Sequence, residues 1–91
     1  MEVVLTIAGS DSSAGAGIQQ DLKTITAHGC YGATVITSVT SQNTLGVQSA
    51  MAVPPAVVAS QISAVLSDLE PAAIKIGMIP NKAVPKPLLM S

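Results

Sequence analysis

Aromatic side chains are almost missing from this chain: Tyr31 is the only one, and there is no Trp or Phe among 91 residues. Stacking of bases on aromatic rings is therefore scarcely available, which counts against a reader of single-stranded nucleic acid. Charge is also scarce, at 10% of residues, and four Lys/Arg against five Asp/Glu leave a formal charge of −1. No basic cluster occurs, whereas phosphate-backbone binding needs several cations on one face, so no nucleic-acid partner is expected. The single cysteine, Cys30, excludes an internal disulfide, and with only His28 nearby it cannot complete a four-ligand metal site. His28 reads instead as a residue of the last turn of a helix facing the negative dipole end, with Gly29 as the stop. No apolar run reaches the ~18 residues of a membrane span, and no cationic flank precedes a long apolar signal region. No membrane partner is expected, and the expected compartment is the cytoplasm.

What the chain does have is soft core material. Hydrophobic residues make up 48%, and the core must be built from Ala, Val, Ile, Leu and Met. At this length one domain at most is expected, with marginal stability unless packing is good or a partner helps.

The apolar run at 3–8 reads as a strand, and the Gly/Ser-rich stretch 9–17 as a turn. A helix from Gly17 to His28 follows, with Ile18, Leu22 and Ile25 on one face. The β-branched run 33–40 predicts a second, parallel strand, followed by turn residues at 41–46 and a short extra or edge strand over 47–53. Pro54-Pro55 opens a second helix whose buried stripe is Val58, Ile62, Val65 or Leu66, and Leu69. The next strand is expected at 72–78. In this order the turns at 9–17, 41–46 and 77–80 all lie at the carboxyl ends of strands, where open α/β sheets bind ligands. Pro85 and Pro87 make a regular helix improbable in the last dozen residues.

Gly9-Ser10-Asp11-Ser12-Ser13-Ala14-Gly15-Ala16-Gly17 matches neither common nucleotide signature. The dinucleotide pattern needs a glycine where Gln20 stands, and the P-loop needs Gly-Lys-Ser/Thr before the helix. A strand leading through such a turn into a helix N-terminus still favours a polar or anionic ligand, the alternative being a tight connection with no ligand. Gln42 offers a donor and an acceptor side by side, matching an amine next to a ring nitrogen, the alternative being a solvated turn glutamine. Asp21, in the first helical turn or two, is stabilised by the dipole whether or not it meets a ligand. Asp11 reads as a cap of the turn or helix, and Ser10, Ser12 and Ser13 as cap and turn residues. Lys75 is the odd charge in an apolar strand and reads as snorkelling to water, with no catalytic role. A serine hydrolase is rejected: there is one histidine and no nucleophile elbow.

The wording of the segments is more specific than their pattern. Thr6-Ile7-Ala8-Gly9-Ser10-Asp11, Gly15-Ala16-Gly17-Ile18-Gln19 and Asp21-Leu22-Lys23-Thr24 resemble the N-terminal signature of the hydroxymethylpyrimidine/phosphomethylpyrimidine kinases of thiamine biosynthesis. Tyr31-Gly32, Val35-Ile36-Thr37-Ser38-Val39-Thr40, Gln42-Asn43-Thr44, Gly46-Val47-Gln48 and Lys75-Ile76-Gly77-Met78 continue the resemblance. It implies an α/β fold, the ribokinase-like three-layer α/β/α sandwich with a mainly parallel sheet. Residues 1–79 would be its N-terminal portion and 80–91 an irregular tail.

The resemblance also implies phosphorylation of hydroxymethylpyrimidine and its monophosphate with ATP and Mg²⁺. Gln42, Asp21, Gly9, Ala16 and Met78 would contact a small-molecule pyrimidine. A pyridoxal/pyridoxine kinase of the same fold is the enzyme alternative, and a noncatalytic pyrimidine-binding or oligomerisation module the non-enzyme one. The family usually has a glycine pair where Ala14-Gly15 stands, so a positive φ at residue 14 would carry a penalty.

In the resembling kinases the Gly-rich anion hole and the base lie mostly in the C-terminal half, and no matching segment occurs here. No catalytic or metal-binding residue is assigned, and the chain reads as a truncated form. Open sheet edges and apolar surface also predict self-association as a homo-oligomer, or marginal stability. The isolated chain is expected to show little or no kinase turnover even when folded, since each missing group is typically worth ~10²-fold or more. Robust ATP-dependent phosphorylation by a purified, monomeric chain in a coupled assay would overturn this.

Overall fold

The computed structural model describes residues 1–77. Its first strand, β1 (Val3–Asp11), leads into helix α1 (Gly17–Ala27), and then β2 (Tyr31–Asn43) and β3 (Gly46–Ala52) form a hairpin. Helix α2 (Pro55–Leu66) crosses back to β4 (Pro71–Ile76). The sheet order is β3-β2-β1-β4, with β1 parallel to both neighbours and β3 antiparallel to β2. The three long apolar runs are thus parallel partners, as expected from the sequence. The proline-rich segment and the last expected residue of the third run, Met78, lie outside the described residues.

β1 is interior because both its faces are apolar enough to cover. Leu5, Thr6, Ile7 and Ala8 are at most 3% exposed, four consecutive residues that in a strand must point alternately to opposite faces. Leu5 and Ile7 join Ala33, Val35, Val53, Ile76 and Val58 of α2 in one cluster, with Ile62, Val65 and Leu69 packed against it. The α2 stripe therefore runs through Val65, and Leu66 is exposed. On the other face α1 lies close over the sheet: a Cβ built on Gly32 would meet Leu22 at 2.5 Å and Ile25 at 3.5 Å. With a helix on each face, the chain forms an α/β/α sandwich.

Several boundaries differ from the sequence expectation, for one reason. β1 and β2 both continue past their apolar cores into polar residues, because backbone pairing does not depend on side-chain hydropathy. β1 therefore ends at Asp11, and the turn begins at Ser12. β2 runs through Asn43, so the expected turn 41–46 shrinks to Thr44-Leu45 between paired strands, and Gln42 sits in a strand opposite Val47. Strand β3, expected over 47–53, is exposed along its whole length.

β2 is longer than its partners, and side chains complete its ladder. Before β3 begins to pair at Ser38, the main chain of Ile36 is held by Gln61 of α2. Its N–H donates to Gln61 Oε1 and its carbonyl accepts from Gln61 Nε2, both at 2.9 Å. Beyond the end of β1, Ser12 Oγ accepts from Gln42 N at 2.8 Å and donates to Gln42 O at 2.6 Å. Two backbone units of β2 are satisfied this way without a neighbouring strand.

Ala14 adopts φ +64° in the turn, the left-handed region expected to be costly for any side chain here. Its N–H donates to Asp11 O at 3.0 Å, and its carbonyl accepts from Lys23 Nζ at 3.0 Å, which hold it in place. The conformation costs about 1–2 kcal/mol, of which a glycine would recover all but its extra unfolded-state entropy. Ala14→Gly is accordingly expected to raise stability by about 0.5–1 kcal/mol, read as a higher urea midpoint at unchanged m-value.

Candidate functional site

The carboxyl ends of β1, β2 and β4 and the start of α1 enclose a cleft of about 350 Å³. Gly9, Ala16, Asp21 and Gln42 line it, which brings together four residues separated by up to 33 positions in the chain. The fifth residue expected there, Met78, lies outside the described residues; its neighbour Gly77 lines the cleft. Ser38, Thr40 and Lys75 complete the walls and were not assigned to the site from sequence. For Ser38 and Thr40 the period-2 spacing with Gln42 along β2 is the signal that would have found them.

Two glycines keep the cleft open. A Cβ on Gly17, which has φ +62°, would stand 2.3 Å from Gly9 O, so only glycine lets α1 begin so close to β1. A Cβ on Gly9 would stand 2.6 Å from Ser38 Oγ across the strand pair. The ladder slips between Ala8 and Ser10, after which Asp11 rather than Ser12 faces Thr40. Thr40 Oγ1 stands 2.7 Å from Ser10 O and 3.1 Å from Gln42 Oε1, and its one proton serves either acceptor in turn.

Asp11 organises the turn. One carboxylate oxygen accepts from Ser13 N at 2.8 Å and Ser13 Oγ at 2.7 Å, and the other accepts from Ala16 N at 2.8 Å. Its own N–H donates to Gln19 Oε1 at 2.8 Å, and Gln19 Nε2 donates to Ser10 Oγ at 2.8 Å. The sequence reading of this turn favours a polar or anionic ligand; within it the amides of Ser13 and Ala16 donate to the Asp11 carboxylate and that of Ala14 to the Asp11 carbonyl, so these three are engaged inside the turn.

Asp21 is the fifth residue of α1, in its second turn, within the first turn or two expected from the sequence, and tertiary partners hold it there as well. Its Oδ2 accepts from Thr6 Oγ1 at 2.6 Å, and its Oδ1 pairs with Lys75 Nζ. Lys75 thus turns toward α1 and an ion pair rather than simply reaching for water. His28 forms the C-cap of α1, with Nδ1 2.8 Å from Thr24 O, in keeping with a structural role. Among the described residues no group of three or more His, Cys, Asp or Glu is placed to hold a metal, and no helix is long and apolar enough to cross a membrane.

The Ser13 hydroxyl first, and then the turn amides, hold the Asp11 carboxyl below the usual carboxylate range. With the folded value depressed, the unfolded chain binds more protons in the window just below about pH 4, so this stabilisation is complete above that pH. It is lost as pH falls through the lower folded value. Asp11→Asn is expected to reduce stability at pH 6 and to flatten the acid side of the stability profile, measured by urea unfolding between pH 6 and pH 2. An acid limb as steep as that of the parent chain would contradict the assignment.

Comparison with known proteins agrees with this architecture. A family model for phosphomethylpyrimidine kinase matches residues 11–88. A hydroxymethylpyrimidine/phosphomethylpyrimidine kinase of Synechococcus elongatus is 56% identical over 82 residues, covering 90% of this chain and 31% of that protein. The crystal structure of a phosphomethylpyrimidine kinase from Clostridium difficile superposes with a TM-score of 0.87 at 52% identity, covering 89% of this chain and 35% of the other. A pyridoxal kinase from Staphylococcus aureus in complex with AMP-PCP superposes at 0.80 and 40% identity, covering 89% and 30%. The chain spans about a third of the length of each of these relatives. With most of its residues matched by the family model and its backbone superposing closely on a solved member, the chain belongs to the phosphomethylpyrimidine kinase family, whose ribokinase-like fold it shares in part.

Proposed function

We propose that the chain forms the pyrimidine-binding part of an ATP-dependent hydroxymethylpyrimidine/phosphomethylpyrimidine kinase of thiamine biosynthesis. The observation that carries this reading is the convergence of Gln42, Asp21, Gly9 and Ala16 on one cleft at the carboxyl edge of the sheet, in a chain matched by that family. The Gln42 amide supplies an acceptor and a donor for the 4-amino group and the adjacent ring nitrogen. Asp21, which can only accept when ionised, takes a hydrogen bond from the hydroxymethyl O–H. Gly9 and Ala16 let the ring approach the backbone, and Met78 is assigned to the apolar face of the ring.

In the reaction, the hydroxymethyl oxygen bonds to the γ-phosphorus of ATP, the bond to the β,γ-bridging oxygen breaks, and ADP leaves as the hydroxyl proton passes to a base. In the second turnover a phosphate oxygen of the monophosphate attacks in the same way and gives the diphosphate. The amides of Ser13, Ala14 and Ala16 are engaged within the turn and offer no cradle to a phosphate of ATP, and none of the described residues is assigned to ATP or Mg²⁺. This part of the protein therefore binds and orients the acceptor substrate. The pyridoxal kinase likeness supports a second reading, in which the same cleft takes a pyridine carrying a hydroxymethyl group. Gln42 favours the aminopyrimidine.

In an intact, active form of the enzyme, Gln42→Ala is expected to lower kcat/KM for the pyrimidine by roughly 1–3 kcal/mol and leave the KM for ATP nearly unchanged. Equal losses for both substrates would indicate a folding defect, and unaltered pyrimidine use would refute the assignment of Gln42. Preference for pyridoxal over the aminopyrimidine would select the second reading.

A further inference from the structure

A lysine in the middle of a short apolar strand calls for an explanation that the fold does not need. Ile74 and Ile76 of β4 turn toward the core shared with α2, so by strand alternation Lys75 projects to the other face, the one under α1. There it stands beside Thr6, its register partner on β1, and both side chains meet the carboxylate of Asp21 from below. Thr6 is fully buried and its hydroxyl donates to Oδ2 at 2.6 Å, while the Lys75 ammonium donates to Oδ1. Three elements that are far apart in sequence converge on one carboxylate at the wall of the cleft.

We propose that Lys75 is a positioning residue that fixes the plane of the Asp21 carboxylate, so that its remaining lone pairs face the hydroxymethyl group of the bound substrate. This rests on the reading of the cleft as the pyrimidine site. A carboxylate has two oxygens with about four acceptor positions. Thr6 and Lys75 each take one, on different oxygens, which stops rotation about the last side-chain bond and leaves one position free on each. A carboxylate held by the hydroxyl alone would rotate about that contact and lose its aim, which weakens a directional hydrogen bond more than it weakens contact with the ring.

Charge supplies a second consequence. The Asp21 side chain is 11% exposed, and the ammonium balances it, so the cleft wall at that point is neutral overall and suited to an uncharged heteroaromatic alcohol rather than to a cation. Lys75 itself is 59% exposed, a geometry in which ion pairs add little to folding, so its removal is expected to leave the chain folded.

The test uses the chain with and without ligand. In the ¹⁵N-labelled unliganded protein, Asp21→Asn is expected to shift the Lys75 Nζ resonance and Asp11→Asn to leave it in place; an unmoved resonance in Asp21→Asn would overturn the pairing. Calorimetry then compares 4-amino-5-hydroxymethyl-2-methylpyrimidine with the analogue carrying methyl in place of hydroxymethyl. Lys75→Met is expected to cut the preference for the hydroxymethyl compound about tenfold while binding of the methyl analogue stays within about twofold, and Lys75→Arg to restore most of the preference. Equal loss for both compounds would mark Lys75 as merely structural and overturn the proposal. If the parent chain shows no preference although the Lys75 resonance responds to Asp21→Asn, it is the reading of the cleft that fails, and the role given to Lys75 in recognition fails with it.

Discussion

Parallel pairing of β1 on both sides is the constraint from which the rest follows. A strand flanked by two parallel neighbours cannot be joined to either by a tight turn, so each connection must leave the sheet and return along a face. α1 takes one face and the route through β3 and α2 takes the other, which buries the centre of β1 from Leu5 to Ala8. The same constraint brings the carboxyl ends of β1, β2 and β4 to one edge. Residues that leave those ends are neighbours whatever their separation in the chain, and Gln42, Asp11 and Lys75 meet there for that reason.

The cleft depends on how each strand ends. β1 stops at Asp11, whose carboxylate winds the following turn around itself through Ser13 and Ala16. β2 goes on, and Ser12 supplies the hydroxyl that stands in for the strand that has left it. This places the Gln42 backbone against the turn and its side chain at the cleft wall. Side chains thus do at the strand ends what backbone does in the middle of the sheet, and the chain can hold a polar recess open without leaving buried backbone groups unpaired.

Much of this was legible in the sequence because it follows from local rules. β-branched runs gave β1, β2 and β4; Pro54-Pro55 marked the start of α2; Gly29 marked the end of α1, where it takes φ +74°. The positive φ at Ala14 was legible only because a glycine pair was expected there. What escaped depends on pairing between distant segments. The extension of β2 through Gln42 comes from a hairpin partner whose residues, such as Gln48 and Ser49, carry little strand signal. The partner of Asp21 could not be found from spacing, since Lys75 lies 54 residues away and reaches it only through the register of β4 on β1. Helical position suggested a dipole effect for Asp21, and tertiary geometry added Thr6 and Lys75 as its partners.

The contact between Gln61 and the main chain of Ile36 bears on whether a further strand can add at that border. An open sheet border is a template for an incoming strand, and proteins suppress such additions with charges, prolines, bulges or covering elements. Here the donor and acceptor of Ile36 are both occupied by one amide from α2. A strand arriving at that border would have to displace two hydrogen bonds before making its own, and would collide with the helix that supplies them. At Ile36 the β2 border is therefore capped by a single side chain, whereas β3, exposed along its whole length with Val47 and Met51 projecting from it, carries no such cap among the described residues.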